Sequence, residues 1–246
     1  MTKNAPLEIA IRNFIGHCQA IPTALGFPGT QTPHFSSNPH TLDIPYPQGI
    51  TTGGAENSQS QIVQIQLLLA SRPAATLTGV VDSYSTLDLK LQGFEILFST
   101  GWDYREPAPI SPQPVIDRPV ETVHSPDQLR QFDRAAAIGF GQPDADVVYS
   151  TPLLSDSRYS FYFIRQSNEV VAGVQSFTND ESIGIYTLFT HPDYRRRGYA
   201  RALTTEALSH APGLPATTNP SNDSAHLFGT LSFAKIGERT IWDHRG

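Results

Sequence analysis

The segment best equipped for chemistry runs from Thr187 to Leu203. It reads Thr-Leu-Phe-Thr-His-Pro-Asp-Tyr-Arg-Arg-Arg-Gly-Tyr-Ala-Arg-Ala-Leu. A nucleotide pyrophosphate concentrates negative charge and requires many N–H donors. A helix N-terminus offers unpaired backbone N–H groups and the positive end of the helix dipole. Glycine lets the backbone approach the oxygens, and arginines add charge and forked donors. An apolar strand ending at Pro192, a loop holding Arg195, Arg196 and Arg197, and a helix opened at Gly198 would supply these features in order. A triple arginine alone is more often a solvated turn. Between this strand and this helix, with Tyr199, Ala200 and Arg201 following, it reads as a phosphate site.

The elements that must position this loop are legible around it. Val120 to His124 reads as a strand. Ser125-Pro126 opens a helix that carries Leu129, Phe132 and Ala136, with serine at the cap and proline at the first position. Ser160 to Arg165, Val170 to Phe177 and Ile183 to Thr190 read as an antiparallel meander, turning at Asn168-Glu169 and at Asn179 to Glu181. Helices are expected over Tyr199 to His210 and Ser224 to Leu231, a strand over Leu214 to Thr218, and one or two closing strands over Phe233 to Trp242.

Upstream, Ile9 to Ala20 and Gln61 to Ser71 fit helices, and residues 22–60 fit loops with short extended pieces such as Thr41 to Tyr46. Gly79 to Val81 fits a strand, Ser83 to Leu91 a helix and Phe94 to Trp102 a strand. Residues 105–119 hold five prolines and read as an extended linker. The expected division is 1–106, a linker over 107–119, and 120–246. The halves echo each other. Asp82-Ser83, Leu91 to Phe94 and Trp102 to Arg105 close the first; Asp223-Ser224, Leu231 to Phe233 and Trp242 to Arg245 close the second. Several matches in one order point to an internal duplication.

Composition narrows the function. The 246 residues are 39% apolar and carry a net charge of −6, so a chain-wide basic surface for nucleic acid is excluded. One cysteine, Cys18, makes no disulfide framework, and the eight scattered histidines suggest no metal site. No stretch reaches the length of a membrane span, so a cytoplasmic setting is the default expectation.

The loop motif resembles that of the GCN5-related N-acetyltransferases. Arg195-x-x-Gly198-x-Ala200 is similar to their Arg/Gln-x-x-Gly-x-Gly/Ala signature, and Leu188 to Pro192 looks like the strand end before it. The resemblance is specific over about 45 residues and looser over the rest of the second half. It implies an α/β (α+β) fold with a mixed central sheet flanked by helices, in a tandem form whose first copy is degenerate. Acetyl-CoA is the implied cosubstrate. Main-chain groups of Leu188, Phe189 and Thr190 would hold the pantetheine, residues Arg195 to Arg201 the pyrophosphate, and Ser221 and Asn222 a further part of the cofactor. The acceptor would be a small-molecule amine or a protein amino group, with a monomer favoured over a dimer.

The family's usual acid and base are missing. Gly184 stands where a glutamate base is common, and Phe228 where a tyrosine acid is common. Tyr186 and His191 are the substitutes nearest the motif strand, with Asp180 and Glu181 beside them. Three readings follow: an acetyltransferase, a CoA-binding sensor without turnover, and an N-terminal half that recognises the substrate.

Overall fold

The computed structural model describes residues 5–40, 46–73, 77–110, 116–144 and 148–245. In chain order the elements are α1 (Ala5–Ala24), β1 (Thr30–Gln31), β2 (Phe35–Ser37), β3 (Gly49–Thr51), α2 (Ser58–Ser71), β4 (Thr78–Asp82) and β5 (Phe94–Arg105). The second half supplies β6 (Glu121–Thr122), α3 (Pro126–Gly139), β7 (Tyr159–Gln166), β8 (Glu169–Thr178) and β9 (Ile183–Thr190). It ends with α4 (Tyr199–Ser209), β10 (Ala216–Thr218), α5 (Asn222–Thr230) and β11 (Ala234–His244).

The eleven strands among the described residues join one mixed sheet in the order β1-β2-β3-β4-β11-β5-β10-β9-β8-β7-β6. Two pairs are parallel, β3 with β4 and β9 with β10. The chain does not keep its halves apart within this sheet. β11, the last strand, lies between β4 and β5 of the first half. β5 in turn lies between β11 and β10 of the second half. The proline-rich segment therefore joins two contributors to a single sheet.

Local sequence explains most elements. Ser125 caps α3 through a complete capping box with Gln128, with Pro126 at the first turn. Such a cap contributes about 1 kcal/mol. The β7–β8 turn is at Ser167 and Asn168, both at positive φ (50° and 70°), one residue earlier than the spacing predicts. Gly173 on β8 is required by close packing: a Cβ there would meet the Phe132 ring at 2.6 Å and the Phe189 ring at 2.7 Å. The helix expected over Ser83–Leu91 does not form; only a short 3-10 turn, Lys90–Gln92, appears. Buried Asp82 accepts hydrogen bonds from the N–H groups of Tyr84 (3.3 Å) and Leu87 (2.7 Å), and this local alternative displaces the helical ladder. The extended piece expected at Thr41 to Tyr46 falls mostly outside the described residues.

The sheet divides the core. On one face, α1 and α3 cover Trp102, Phe161, Phe163, Phe177 and Phe189. On the other, α4 and α5 cover Tyr162, Val174, Ile185 and Phe233. Trp102 is buried at the junction of the halves and donates its indole N–H to the Ser83 carbonyl at 2.8 Å. Removing such a ring typically costs about 3–5 kcal/mol.

Because β5 fills the sheet between β10 and β11, fragments 1–106 and 107–246 are each expected to be insoluble or to lack cooperative unfolding when expressed alone. Co-expression is expected to recover a complex with native far-UV and near-UV circular dichroism. A monomeric, cooperatively folded 107–246 fragment would contradict the interlocked sheet.

Candidate active site

The site begins with an irregularity in β9. Tyr186 lies opposite Gln175 of β8, and Phe189 lies opposite Gly173, so Thr187 and Leu188 share the single partner position of Val174. This is a β-bulge, and Thr187 adopts φ 46° within it. Positive φ at a β-branched residue is costly and is held only where the surroundings impose it. The Thr187 hydroxyl is fixed by the Tyr149 hydroxyl at 2.5 Å.

On its other side β9 pairs in parallel with β10 only through Ile185, opposite Thr218. The Thr218 hydroxyl seals that end by donating to the Ile185 carbonyl at 2.9 Å. Beyond it the chain leaves through Asn219 and Pro220 toward α5. A gap therefore opens between Asn219 and the β9 edge from Tyr186 to Thr190.

At the far end of β9 is the arginine loop. Pro192–Tyr194 forms a 3-10 turn whose Asp193 N–H donates to His191 Nδ1 at 3.3 Å. Arg195, Arg196 and Arg197 are exposed. Arg195 reaches the carbonyls of Thr190 and Gly139 (3.3 and 3.4 Å), and Arg197 lies 4.8 Å over the Tyr194 ring. Gly198 takes φ 82°, a left-handed conformation that glycine tolerates, and α4 starts there. The first intrahelical bond runs from Ala202 N–H to the Gly198 carbonyl. The N–H groups of Tyr199, Ala200 and Arg201 precede it and have no helical acceptor. Arg201 bonds the Thr230 hydroxyl at 3.0 Å.

At the sheet's α1 and α3 face the gap meets a cavity of about 240 Å³. Phe14 and His17 come from α1, Tyr46 from the loop after β2, and Asp133, Ala136 and Ala137 from α3. Phe140, Tyr149, Tyr186, Thr187 and Asn219 complete most of the wall. The halves thus build it jointly.

Asp133 is buried and accepts the Tyr149 N–H at 2.9 Å. Burial pushes its pKa up to about 7, against the opposing effect of the Tyr149 and Val148 N–H groups. A carboxyl titrating near neutrality in a cavity beside an open strand edge is suited to take a proton. His17 is pushed down to about 3 by burial and is neutral. Tyr159 donates to the His17 carbonyl at 3.0 Å, which assigns the proton in its 3.0 Å contact with His17 to Nδ1. His17 Nε2 then accepts from Tyr46 (3.2 Å), which lies 3.2 Å from Tyr149. Beneath the cavity lies buried Arg239, with Phe14 and Trp102 rings 4.9 and 5.0 Å away. Burial pushes its pKa down to about 10, which leaves it cationic at neutral pH. Asn219, its oxygen turned toward Arg239, accepts from both terminal nitrogens at 2.7 and 2.8 Å.

The residues singled out from sequence separate in space. Tyr186 lines the cavity, but its hydroxyl is held by Asn13 Oδ1 at 2.8 Å and its ring stacks on His17 at 4.3 Å. Burial pushes its pKa above the usual tyrosine range. His191 caps the 3-10 turn and is not on the cavity wall. Asp180 and Glu181 lie in the β8–β9 turn, where Glu181 pairs with Arg12 at 2.7 Å. Phe189 and Tyr199 are buried, with Tyr199 donating to Asp117 at 2.8 Å, so their side chains belong to the core. Leu188 and Thr190 are half-buried. Ser221 is exposed at the start of α5, and the Asn222 side chain lies outside the described set. A Cβ on Gly184 would meet Asn13 Oδ1 at 2.2 Å, so α1 fills the space a longer residue would need. Phe228 is buried against Phe233, ring centroids 5.2 Å apart.

Sequence reasoning overlooked Asp133, His17, Tyr46, Tyr149 and Asn219. For two of them a signal existed. Asp133 falls on the apolar stripe of Leu129, Phe132 and Ala136, and His17 on that of Phe14, Cys18 and Ile21. A titratable group on a buried stripe is the informative exception.

Residues 127–231 match the model of the Acetyltransferase (GNAT) family. The whole chain shares its fold with a GCN5-related N-acetyltransferase from Kribbella flavida (TM-score 0.67, 15% identity, 96% of each chain covered). A GNAT-family protein from Novosphingobium aromaticivorans is similar too (TM-score 0.61, 14% identity, 94% of this chain and 98% of that one). So is a functionally unknown conserved protein from Staphylococcus epidermidis (TM-score 0.59, 12% identity, 88% and 93%). No curated protein sequence matches. The fold is therefore the α/β GNAT fold, a mixed sheet flanked by helices. No helix among the described residues is long and apolar enough to cross a membrane.

Asp133 gives a stability prediction. Its folded pKa of about 7 lies above the ordinary 3.8, so between these values the folded chain holds a proton the unfolded chain has lost. Its contribution to stability is therefore greatest at low pH and falls as pH rises through that window. Thermal melts of wild type and Asp133→Asn from pH 5 to 8 are expected to show a smaller drop for the variant. Parallel curves would contradict the raised pKa.

Proposed function

We propose that this protein is an N-acetyltransferase that uses acetyl-CoA and acylates an amine held in the cavity at β9. The observation carrying this reading is the juxtaposition along one strand. The arginine loop and the open α4 N-terminus lie at one end, and the bulge, the β9–β10 gap and the Asp133 cavity at the other. The left-handed Gly198, with only Ile116 among the described residues at 3.4 Å where a Cβ would stand, leaves room for phosphate oxygens.

In this reading Arg195, Arg196 and Arg197 and the N–H groups of Tyr199, Ala200 and Arg201 hold the pyrophosphate. The main-chain edge of Leu188 to Thr190 holds the pantetheine. Acetyl-CoA supplies the acetyl group, whose carbonyl carbon bonds to the amine nitrogen as its bond to sulfur breaks; CoA leaves as the thiolate and takes a proton from solvent. Asp133 takes the amine proton, directly or through a water. Backbone N–H groups at the bulge stabilise charge on the thioester oxygen. The aromatic wall excludes bulk water. Tyr186 and His191 become supporting residues: one stacks on His17 and the other caps the loop.

The sensor reading rested on the missing glutamate and tyrosine. A cavity carboxyl that titrates near neutrality favours turnover over binding alone. The chain is also best read as a tandem duplication. The parallel β3/β4 pair followed by antiparallel β11 mirrors the parallel β9/β10 pair followed by antiparallel β5, as if each half had lent its final strand to the other. Ahead of α2, where an arginine loop would lie, stand Gly53, Gly54 and Glu56, so one cofactor site is expected. A cytoplasmic setting and a monomeric state belong to the same proposal.

Isothermal titration with acetyl-CoA is expected to show one site per chain. Arg195→Ala/Arg196→Ala, both exposed, is expected to weaken binding at least about 10-fold without lowering the melting temperature. No binding at near-millimolar acetyl-CoA would sink the proposal. CoA release with an amine panel should give kcat/KM rising through about pH 7, the value to which Asp133 is pushed. Asp133→Asn is expected to lose about 10²–10⁴-fold and the pH limb with it. Binding without release for any amine would return the sensor reading.

A further inference from the structure

The cavity that faces the bulge has a chemistry of its own, and the inference drawn from it rests on the acetyltransferase reading. We infer that its acceptor is a small primary amine on a compact aromatic or apolar body that carries no carboxylate or phosphate.

The charge of the wall is the first argument. Asp133 is the one ionisable acid among the described lining residues, and no lysine or arginine is among them. Arg239 lies close by, but Phe14 and Trp102 flank it and Asn219 takes both its terminal nitrogens, so it does not reach the lining. An anionic group entering here would be desolvated with no cation to meet it, whereas an ammonium would meet a carboxylate. His17 adds no competing positive charge, since burial keeps it neutral.

The second argument is the direction of the hydrogen bonds. Thr187, Tyr149, Tyr46, His17 and Tyr159 form one chain with links of 2.5, 3.2, 3.2 and 3.0 Å. Whichever way the chain runs, Tyr46 and Tyr149 commit their protons inside it. What these hydroxyls can offer a ligand is lone pairs, which suit an N–H donor and not a carboxylate. The exceptions are Asn219, whose NH₂ is left free when its oxygen faces Arg239, Thr187, whose hydroxyl keeps its proton when Tyr149 donates to it, and Gln142 at the exposed mouth.

The third argument is the material of the wall. Beyond these polar atoms it is ring and alkyl surface from Phe14, Tyr46, Phe140, Val148, Ala136 and Ala137. Aromatic faces bury an apolar body and attract a cation near it. A protein lysine or a polycation would leave this surface unused, and about 240 Å³ suits a compact ligand.

The test pairs 2-phenylethylamine with phenylalanine, which differ by one carboxylate, and adds hexylamine, spermidine and a lysine peptide. With acetyl-CoA present, kcat/KM for 2-phenylethylamine is expected to exceed that for phenylalanine by at least about 100-fold, with hexylamine above spermidine and the peptide. Ala137→Lys, which puts a cation on the wall, is expected to narrow or reverse the phenylethylamine-to-phenylalanine ratio. Phe140→Ala at the mouth is expected to raise KM for the aromatic amine and leave acetyl-CoA affinity unchanged. Equal turnover of phenylalanine, or a preference for spermidine or the peptide, would overturn the inference while leaving acetyl transfer intact. If acetyl-CoA does not bind, the underlying reading fails. Calorimetry of the two aromatic amines on the protein alone then decides the inference by itself, with preferential binding of phenylethylamine supporting it and equal or reversed affinity overturning it.

Discussion

The pairing of β5 with β11 is the constraint on which the rest of the molecule depends. It runs from Phe94 opposite His244 to Tyr104 opposite Ala234, and it joins the last strand of each half at the middle of the sheet. Every other relation between the halves follows from it. It sets β10 against β5, packs α1 beside β9, and brings Phe14, His17 and Tyr46 to a cavity whose opposite wall is α3. Trp102, on β5, fills the seam between Phe14 and Arg239. At that seam the aromatic faces and the Asn219 carbonyl oxygen replace part of the water the cation has lost, while its Nε makes no hydrogen bond among the described residues.

The bulge in β9 converts this scaffold into a site. A regular strand would have continued its ladder with β10 and closed the gap. Placing Thr187 and Leu188 opposite Val174 alone turns the strand edge outward just where β10 ends. The strain at Thr187 is held by the Tyr149 hydroxyl, and that hydroxyl belongs to the chain reaching back through Tyr46 to His17. The conformation of the motif strand and the polar character of the cavity are thus one hydrogen-bonded system, with members from both halves.

The second-half elements and the turn that leads into α4 could be read from sequence because each rests on local rules: a capping box at Ser125, alternation in the meander, a glycine at a positive φ before α4. The expected helix at Ser83–Leu91 failed because the Asp82 carboxylate, buried by strands distant in sequence, captures the N–H groups that would have begun it. The interleaving of β5 and β11 left no trace in sequence, since pairing partners carry no local signature. Tyr46 and Tyr149 lie in loops without periodicity, so nothing marked them. Asp133 and His17 were marked, as polar residues on otherwise apolar stripes, and a search for such exceptions would have found them.

The two apparent defects of the motif strand acquire a physical account in this setting. At Gly184 a side chain would collide with Asn13, and Asn13 is held there by Ser182, at 2.9 Å to its hydroxyl, and by Tyr186. The first half has taken the space in which a strand-borne base would have stood. The base of the proposed transfer would then come from another wall, where α3 presents Asp133 with its carboxyl already desolvated. Phe228 likewise packs on Phe233 in the opposite layer, where a hydroxyl would face core and not the gap. In the proposed reaction, proton transfer would lie not on the sheet and α5 but on the face shared by α1 and α3, which the first half helps to build. The same helix whose Asn13 leaves no room for a side chain at Gly184 also supplies Phe14 and His17 to the aromatic floor of the cavity, where the proposed amine would be held.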